Sequence, residues 1–343
     1  MQVSGGSHER HDGSSQRRSS SRDWNFHPSL PIELSPIFAW PPKPLAWLNW
    51  ISTYWLALSS VTLEVALAVV VYRSFQPDWV TMETLAPGWL FQIWVRNVIL
   101  ICLIAGGLHL WFYGFSAQGK ALKFDARDLN RSNGSYTFRN QVLDNMFWTI
   151  ASGVTAWTPY EVLYFWAAAN GYAPRISVAE SPIWFVVLMV LIPIWSSFHF
   201  YWIHRLLHWP PLYRVAHALH HRNVNIGPWS GISMHPIETA IYFSSLLVHL
   251  IIPSHPVHFL LHVYVNGLGP VFSHSGFDGI LVKDKKRVET GVFFHQLHHR
   301  FFECNYGTVD MPWDRVFGSF HDGSDAATTV TRARKKRMHA PRA

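Results

Sequence analysis

Three short stretches of this chain repeat one side chain at spacings that suit a metal ion. His204 and His208 stand at i and i+4, while His217, His220 and His221, and again His295, His298 and His299, stand at i, i+3 and i+4. On a helix each set shares one face. A further histidine, His274, follows in Ser273-His274-Ser275-Gly276. Sixteen of the 21 histidines fall between His199 and His321, a window in which an even spread would place about seven or eight. A lone histidine on a helix face is ordinarily a packing or surface residue, but that reading does not account for a repeated three-histidine spacing.

Imidazole suits iron, zinc and copper, and a neutral ligand avoids burying anions beside apolar segments. A structural zinc takes four ligands and a catalytic zinc three plus water, so nine histidines point to two metal ions. Two redox ions can divide the electrons needed to activate oxygen. Soluble di-iron bundles use carboxylates and Glu-x-x-His on facing helices, yet none of the nine glutamates has histidine at the third following position. A zinc peptidase would show His-Glu-x-x-His, which is absent. A metal transporter needs ionisable groups within several spans, whereas these clusters lie outside the apolar stretches. A catalytically inactive scaffold is disfavoured by the intact clusters. His109, His199, His249, His255, His258 and His262 read as packing residues, with His258 and His262, four apart, able to hold a metal or water. Glu238, Asp310 and Asp314 are the carboxylates placed to orient ligand rings.

The elements that must position these histidines are helices in a membrane. The chain is 49% hydrophobic and 14% charged, with 18 Trp and 23 Phe in 343 residues, too apolar for an ordinary soluble domain. Four apolar stretches near 51–72, 90–113, 146–170 and 183–203 approach or exceed the roughly 20 residues that cross a bilayer. Two shorter ones, near 239–252 and 257–272, flank Pro253 and Pro256 and suggest a helical hairpin that enters the membrane and returns. The expected fold is therefore all-α: about four transmembrane helices plus that hairpin, under a cytosolic helical cap carrying the histidine clusters. The connection 114–145 carries Lys120, Lys123, Arg127, Arg131 and Arg139, against Arg73 and Arg175 alone in the connections 73–89 and 171–182. This alternation is the positive-inside pattern and places both termini and all the clusters on the cytoplasmic side.

Residues 1–45, rich in Ser, Arg and Pro, are expected to form a disordered tail, followed by an N-terminal transmembrane region over 46–182, a catalytic domain over 183–320 and a basic tail over 321–343. The N-terminus shows no charged-then-apolar signal peptide, so insertion is expected to rely on the first internal apolar segment. The net charge of +7 comes without any nucleic-acid-binding signature and suits an anionic membrane surface instead. Cys102 and Cys304 form neither a CxxC motif nor a disulfide framework.

The order HxxxH, HxxHH and a final HxxHH resembles the sterol desaturase and fatty acid hydroxylase superfamily over roughly 183–320. The resemblance extends to His235-Pro236-Ile237-Glu238, His274-Ser275-Gly276-Phe277-Asp278, Asn305-Tyr306-Gly307 and Trp313-Asp314-Arg315-Val316-Phe317-Gly318. It implies a four-helix membrane stem under a cytosolic cap holding two irons, with O2 as oxidant. Electrons would come from a separate donor, a cytochrome b5 or a ferredoxin with its reductase. His204, His208, His217, His220, His221, His274, His295, His298 and His299 carry over as iron ligands. The acyl-chain hydroxylases have a further histidine where this chain has Pro270, which leaves His235 as the candidate for a tenth ligand. His27-Pro28 lacks the glycines of a cytochrome b5 haem motif. The resemblance points to a sterol or sterol-like ring as substrate, with an acyl chain as the alternative, and leaves hydroxylation and desaturation both open.

Overall fold

The computed structural model describes residues 24–53 and 59–338. The described chain is mostly helical, with one two-stranded sheet. The helices used below are α1 (Ser60–Ser74), α2 (Pro87–His109), α3 (Gln141–Trp148), α4 (Thr155–Ala169), α5 (Pro182–Leu207), α6 (Ala218–His221), α7 (Pro236–Phe243), α8 (Pro256–Gly267), α9 (Gly269–Ser273), α10 (Phe293–Phe301) and α11 (Asp325–Met338).

Two helical segments, Pro87–Gly114 and Pro182–Leu207, are long and apolar enough to cross a membrane. Both expose large apolar side chains: Leu103 is 66% and Ile183 80% exposed. That pattern is wrong for the core helix of a soluble protein and right for a lipid-facing surface. The other two expected spans take different forms. α1, with 15 residues, rises about 22 Å, less than the hydrocarbon thickness of about 30 Å. The stretch near 146–170 is a helix broken by a π turn over Thr149–Val154 and by Pro159 within α4.

Local sequence sets the boundaries. Ser59 caps α1 in a capping box with Thr62, and Asn140 caps α3 by accepting from the amides of Val142 and Leu143. Pro182, Pro236 and Pro256 sit at the first turns of α5, α7 and α8, where a missing N–H costs nothing. The expected hairpin forms as α7, a 3-10 segment Ser244–Leu250, α8 and α9. Eleven of its twelve residues being buried, α8 is a core helix packed between α1 and α5 and not a lipid-facing loop. α2 and α4 are joined by a buried ion pair between Arg96 and Glu161, with Asn97 donating to Thr158 Oγ1 and Glu161.

The tail expected over 1–45 needs correction where it is described; residues 1–23 lie outside the described residues. Trp24, Phe26, Leu30 and Ile32 pack on Phe124, Phe293, Leu297 and Phe301 of the cap. Asn25 N donates to Phe124 O at 2.9 Å and Ile32 N to Asp322 O at 2.8 Å. Apolar anchors scattered among prolines have no period to detect, yet they bury well. The C-terminal tail is likewise structured as α11 up to Met338: buried His321 reaches Thr328 Oγ1, and Arg334 donates to the carbonyls of Glu303 and Gly318.

Candidate metal centre

Each ligand stretch ends a helix or sits in a tight turn, so its rings are held by the local backbone. His204 lies in the last turn of α5 and His208 is its C-cap. His217 closes a π turn, Tyr213–His217, which leads directly into α6 with His220 and His221. Such turns recur at functional sites because the extra residue re-aims a side chain. His274 caps the end of α9. Gly276 has φ +80°, and a Cβ there would stand 2.5 Å from Tyr113 Oη and 2.8 Å from Ile226 O, so glycine is required beside this ligand. His295, His298 and His299 lie on α10.

All nine histidines are buried, and they converge as two groups. His204, His208, His217, His221 and His298 form one; His220, His274, His295 and His299 form the other, the ligand atoms of each lying within 4.8 Å of one another. The two three-histidine motifs interlock. The i and i+4 rings of the first motif enter the five-histidine group and its i+3 ring the other; the second motif does the reverse. A shared helix face therefore does not mean a shared ion, which corrects the simple reading of the spacing.

The ring nitrogens carry the argument for a cation. Backbone carbonyls, which only accept, receive hydrogen bonds from Nδ1–H of His204 (Tyr306 O, 2.7 Å), His298 (Cys304 O, 2.6 Å) and His274 (Pro270 O, 2.8 Å). The tautomer is thereby fixed and Nε2 is left as a bare lone pair. Yet His274 Nε2 faces His299 Nε2 at 3.1 Å and His295 Nε2 at 3.2 Å, and His221 Nε2 lies 3.1 Å from that of His208 and 3.0 Å from that of His298. His217 Nε2 is buried with no partner among the described residues. For metal–nitrogen bonds of about 2.1 Å, neighbouring ligands lie about 3.0 Å apart at right angles and about 3.4 Å apart at the tetrahedral angle. The observed spacings fall between these values, close enough for the nitrogens of each group to share one ion.

Protonation does not relieve this crowding. Burial, reinforced by neighbouring rings, holds His208, His221, His274, His295, His298 and His299 well below the usual imidazole range. Burial alone takes His217 down to about 3 and leads the lowering of His220 to about 4. The rings are neutral at physiological pH, the form that binds metal. Glu238 Oε1 lies 2.7 Å from His217 Nδ1, and burial pushes its carboxyl up to about 8. A cation beyond the ring would favour the carboxylate, which then accepts from Nδ1–H.

Of the other carboxylates, Asp314 acts one step further out, accepting from the amides of Tyr306 and Gly307 and from Ser319 Oγ, and so fixes the loop whose carbonyl holds His204. Asp310 lines the adjoining cavity. His235 belongs to neither group; its ring caps α7 by accepting from Ile237 N. His258 and His262 do not cooperate: His258 donates to Phe185 O, and His262 pairs with His249 at 3.0 Å. The carbonyls of Tyr306, Cys304 and Pro270 had no signature in the sequence, because any residue supplies a carbonyl.

A cavity of about 830 Å³ adjoins the two groups. His204, His217, His220, His274 and His295 line it together with the apolar side chains of Phe200, Tyr242, Val265 and Phe272. Its size and lining suit a hydrophobic ligand.

Residues 189–319 match the model of the fatty acid hydroxylase family. Among curated proteins, the chain is 36% identical over 133 residues to a Delta(7)-sterol 5(6)-desaturase of Eremothecium gossypii, covering 38% of this chain and 36% of that one. It is 35% identical over 128 residues to the corresponding enzyme of Saccharomyces cerevisiae, covering 37% and 34%. A probable Delta(7)-sterol 5(6)-desaturase of Neurospora crassa aligns more fully, at 26% identity over 249 residues, 67% of this chain and 68% of that one. The chain thus spans about a third of the length of the first two relatives. No solved structure matches it.

Proposed function

From the premise that the chain belongs to the sterol desaturase and fatty acid hydroxylase superfamily, we propose that it is a membrane-bound oxidoreductase. It uses O2 and external electrons to hydroxylate or desaturate a C–H bond of a lipid. The carrying observation is the pair of neutral imidazole groups, crowded beyond what protein alone would tolerate, beside a largely apolar cavity. In this reading two irons, five histidines on one and four on the other, supply the oxidising chemistry when bound.

The chain's own groups do the rest. Carbonyls of Tyr306, Cys304 and Pro270 and the carboxylate of Glu238 orient the rings. The walls around Phe200, Tyr242 and Phe272 exclude water and hold an apolar substrate against the ligand histidines. Lys335 of the basic helix α11 lies 4.3 Å over the Phe302 ring, itself 4.9 Å from the His221 ring. This short surface-to-ligand route favours α11 as the landing place of an acidic electron donor.

In the membrane, α2 and α5 span, and α1 and the helix over 141–169 complete a four-helix stem with both termini and the cap cytoplasmic. Residues 46–182 are the stem's first part and 183–320 the catalytic domain. The substrate is a sterol, on the strength of the relatives' activity; an acyl chain is the second reading, favoured by the description of the matching family. Lipid mass spectrometry of host cells with and without the gene tests this directly. The proposal expects one lipid to gain an oxygen or lose two hydrogens, and an unchanged lipid profile counts against it.

A further inference from the structure

α1 buries one face made of Val61, Glu64, Ala68 and Val71. Three of these are apolar and pack toward α8, as helix spacing requires. Glu64 breaks the pattern. It is 2% exposed, lines the same cavity as the ligand histidines, and its Oε1 has no hydrogen-bond partner among the described residues. Desolvating a carboxyl without a partner is costly, and leucine at this position would pack at no such cost. A buried ionisable group on an otherwise apolar helix face calls for a partner, and the described residues supply none to Glu64 Oε1.

The position of Glu64 relative to the ligands is fixed by α9. A Cβ built on Gly269 would stand 3.2 Å from Glu64 Oε1, and His274 follows five residues later, at the end of the same helix. That is about 7.5 Å of helix rise. The cavity therefore holds, besides the ligand histidines, a buried carboxyl set against the start of α9, five residues before His274.

Resting on the reading of the cavity as a lipid site, we propose that Glu64 is a specificity-determining residue that hydrogen-bonds a hydroxyl group of the lipid substrate. A hydroxyl donates to a carboxylate or accepts from a carboxylic acid, so the pair is satisfied in either protonation state. Anchoring the hydroxyl at Glu64 sets which carbon of the skeleton reaches the ligand histidines, and a sterol, being an alcohol, carries such a group.

The test is equilibrium binding to the purified, metal-loaded protein in lipid nanodiscs, which needs no turnover. The probes are a tritiated Delta(7)-sterol and the matching hydrocarbon that lacks only the hydroxyl. The wild type should prefer the sterol by about ten-fold, the typical worth of a hydrogen bond to an ionisable group. Glu64→Leu should abolish the preference by weakening sterol binding alone, and Glu64→Gln should retain part of it. The melting temperature of Glu64→Leu should equal or exceed that of the wild type. An undiminished preference in Glu64→Leu, equal binding of both probes to the wild type, or a failure of Glu64→Leu to fold would each overturn the inference while leaving the lipid-oxidation proposal standing. If neither probe binds the wild type, the inference and the sterol reading both fall, and the acyl-chain reading is decided by the lipid profile.

Discussion

The interlocked motifs make predictions at single residues that a one-motif, one-ion arrangement would not. His220 and His298 each serve the group opposite to their own motif's other two rings. His220→Ala and His298→Ala should each lower bound iron from about two ions toward one, and the double variant should hold little, as read by elemental analysis of purified protein. Full occupancy in both single variants would sink the ligand assignment. Glu238→Gln keeps an acceptor for His217 Nδ1–H, whereas Glu238→Ala removes it from a buried site. The alanine variant should lose about 10–100-fold in metal affinity and the glutamine variant far less. Protonation gives a further test on metal-free protein. Eight ligand histidines outside the membrane helices have lowered proton affinity when folded. The unfolded chain, with imidazoles near pKa 6.5, binds more protons below that pH, so stability should fall as pH drops from about 6.5 toward 4. Glu238, raised to about 8, works in the opposite sense between about 4.5 and 8, but one carboxyl is outweighed by eight rings. A melting temperature that rises on acidification from pH 6.5 to 5 would contradict the buried, neutral state.

Among elements, the loop after α10 matters more than its sequence suggests, since it presents the carbonyls that hold His298 and His204. Asp314 ties that loop through two amides and Ser319. Asp314→Ala should therefore cost about 1–3 kcal/mol in chemical denaturation and also weaken iron binding, although Asp314 contacts no ligand ring. What was legible in the sequence follows from what has a period or a fixed residue type. The histidine stretches and the two long apolar helices were plain. The assignment of rings to groups was not, because a face shared along one helix says nothing about where facing helices bring their own rings. The strand pair Gly279–Val282 and Lys285–Glu289 was also missed. Its turn residues Lys283 and Asp284 take φ of 51° and 56°, a conformation usually signalled by Asn-Gly. α1 differs from its expected span because Ser59 starts the helix eight residues beyond the start of the apolar stretch. Reporters fused at 130 and after 330 should report the same side and one at 176 the other; a reporter at 130 opposite to the C-terminus would overturn the four-helix stem.

Taken whole, the molecule joins two long apolar helices to buried imidazoles that meet a largely apolar cavity, which in the proposed reading lets a substrate reach the site without leaving the bilayer. The reaction to be tested is O2-dependent oxidation of a lipid C–H bond at that site. The most direct measurement supplies purified protein in nanodiscs with iron, a reducing system of cytochrome b5 or ferredoxin and its reductase, and isotopically labelled O2, offering a Delta(7)-sterol and an acyl lipid in parallel. The sterol should give a product that requires O2, with label in an alcohol for hydroxylation or in water alone for desaturation, and product should be lost when His217, His220 and His221 are all replaced by alanine. Equal product without O2, or from the triple variant, would contradict this reading.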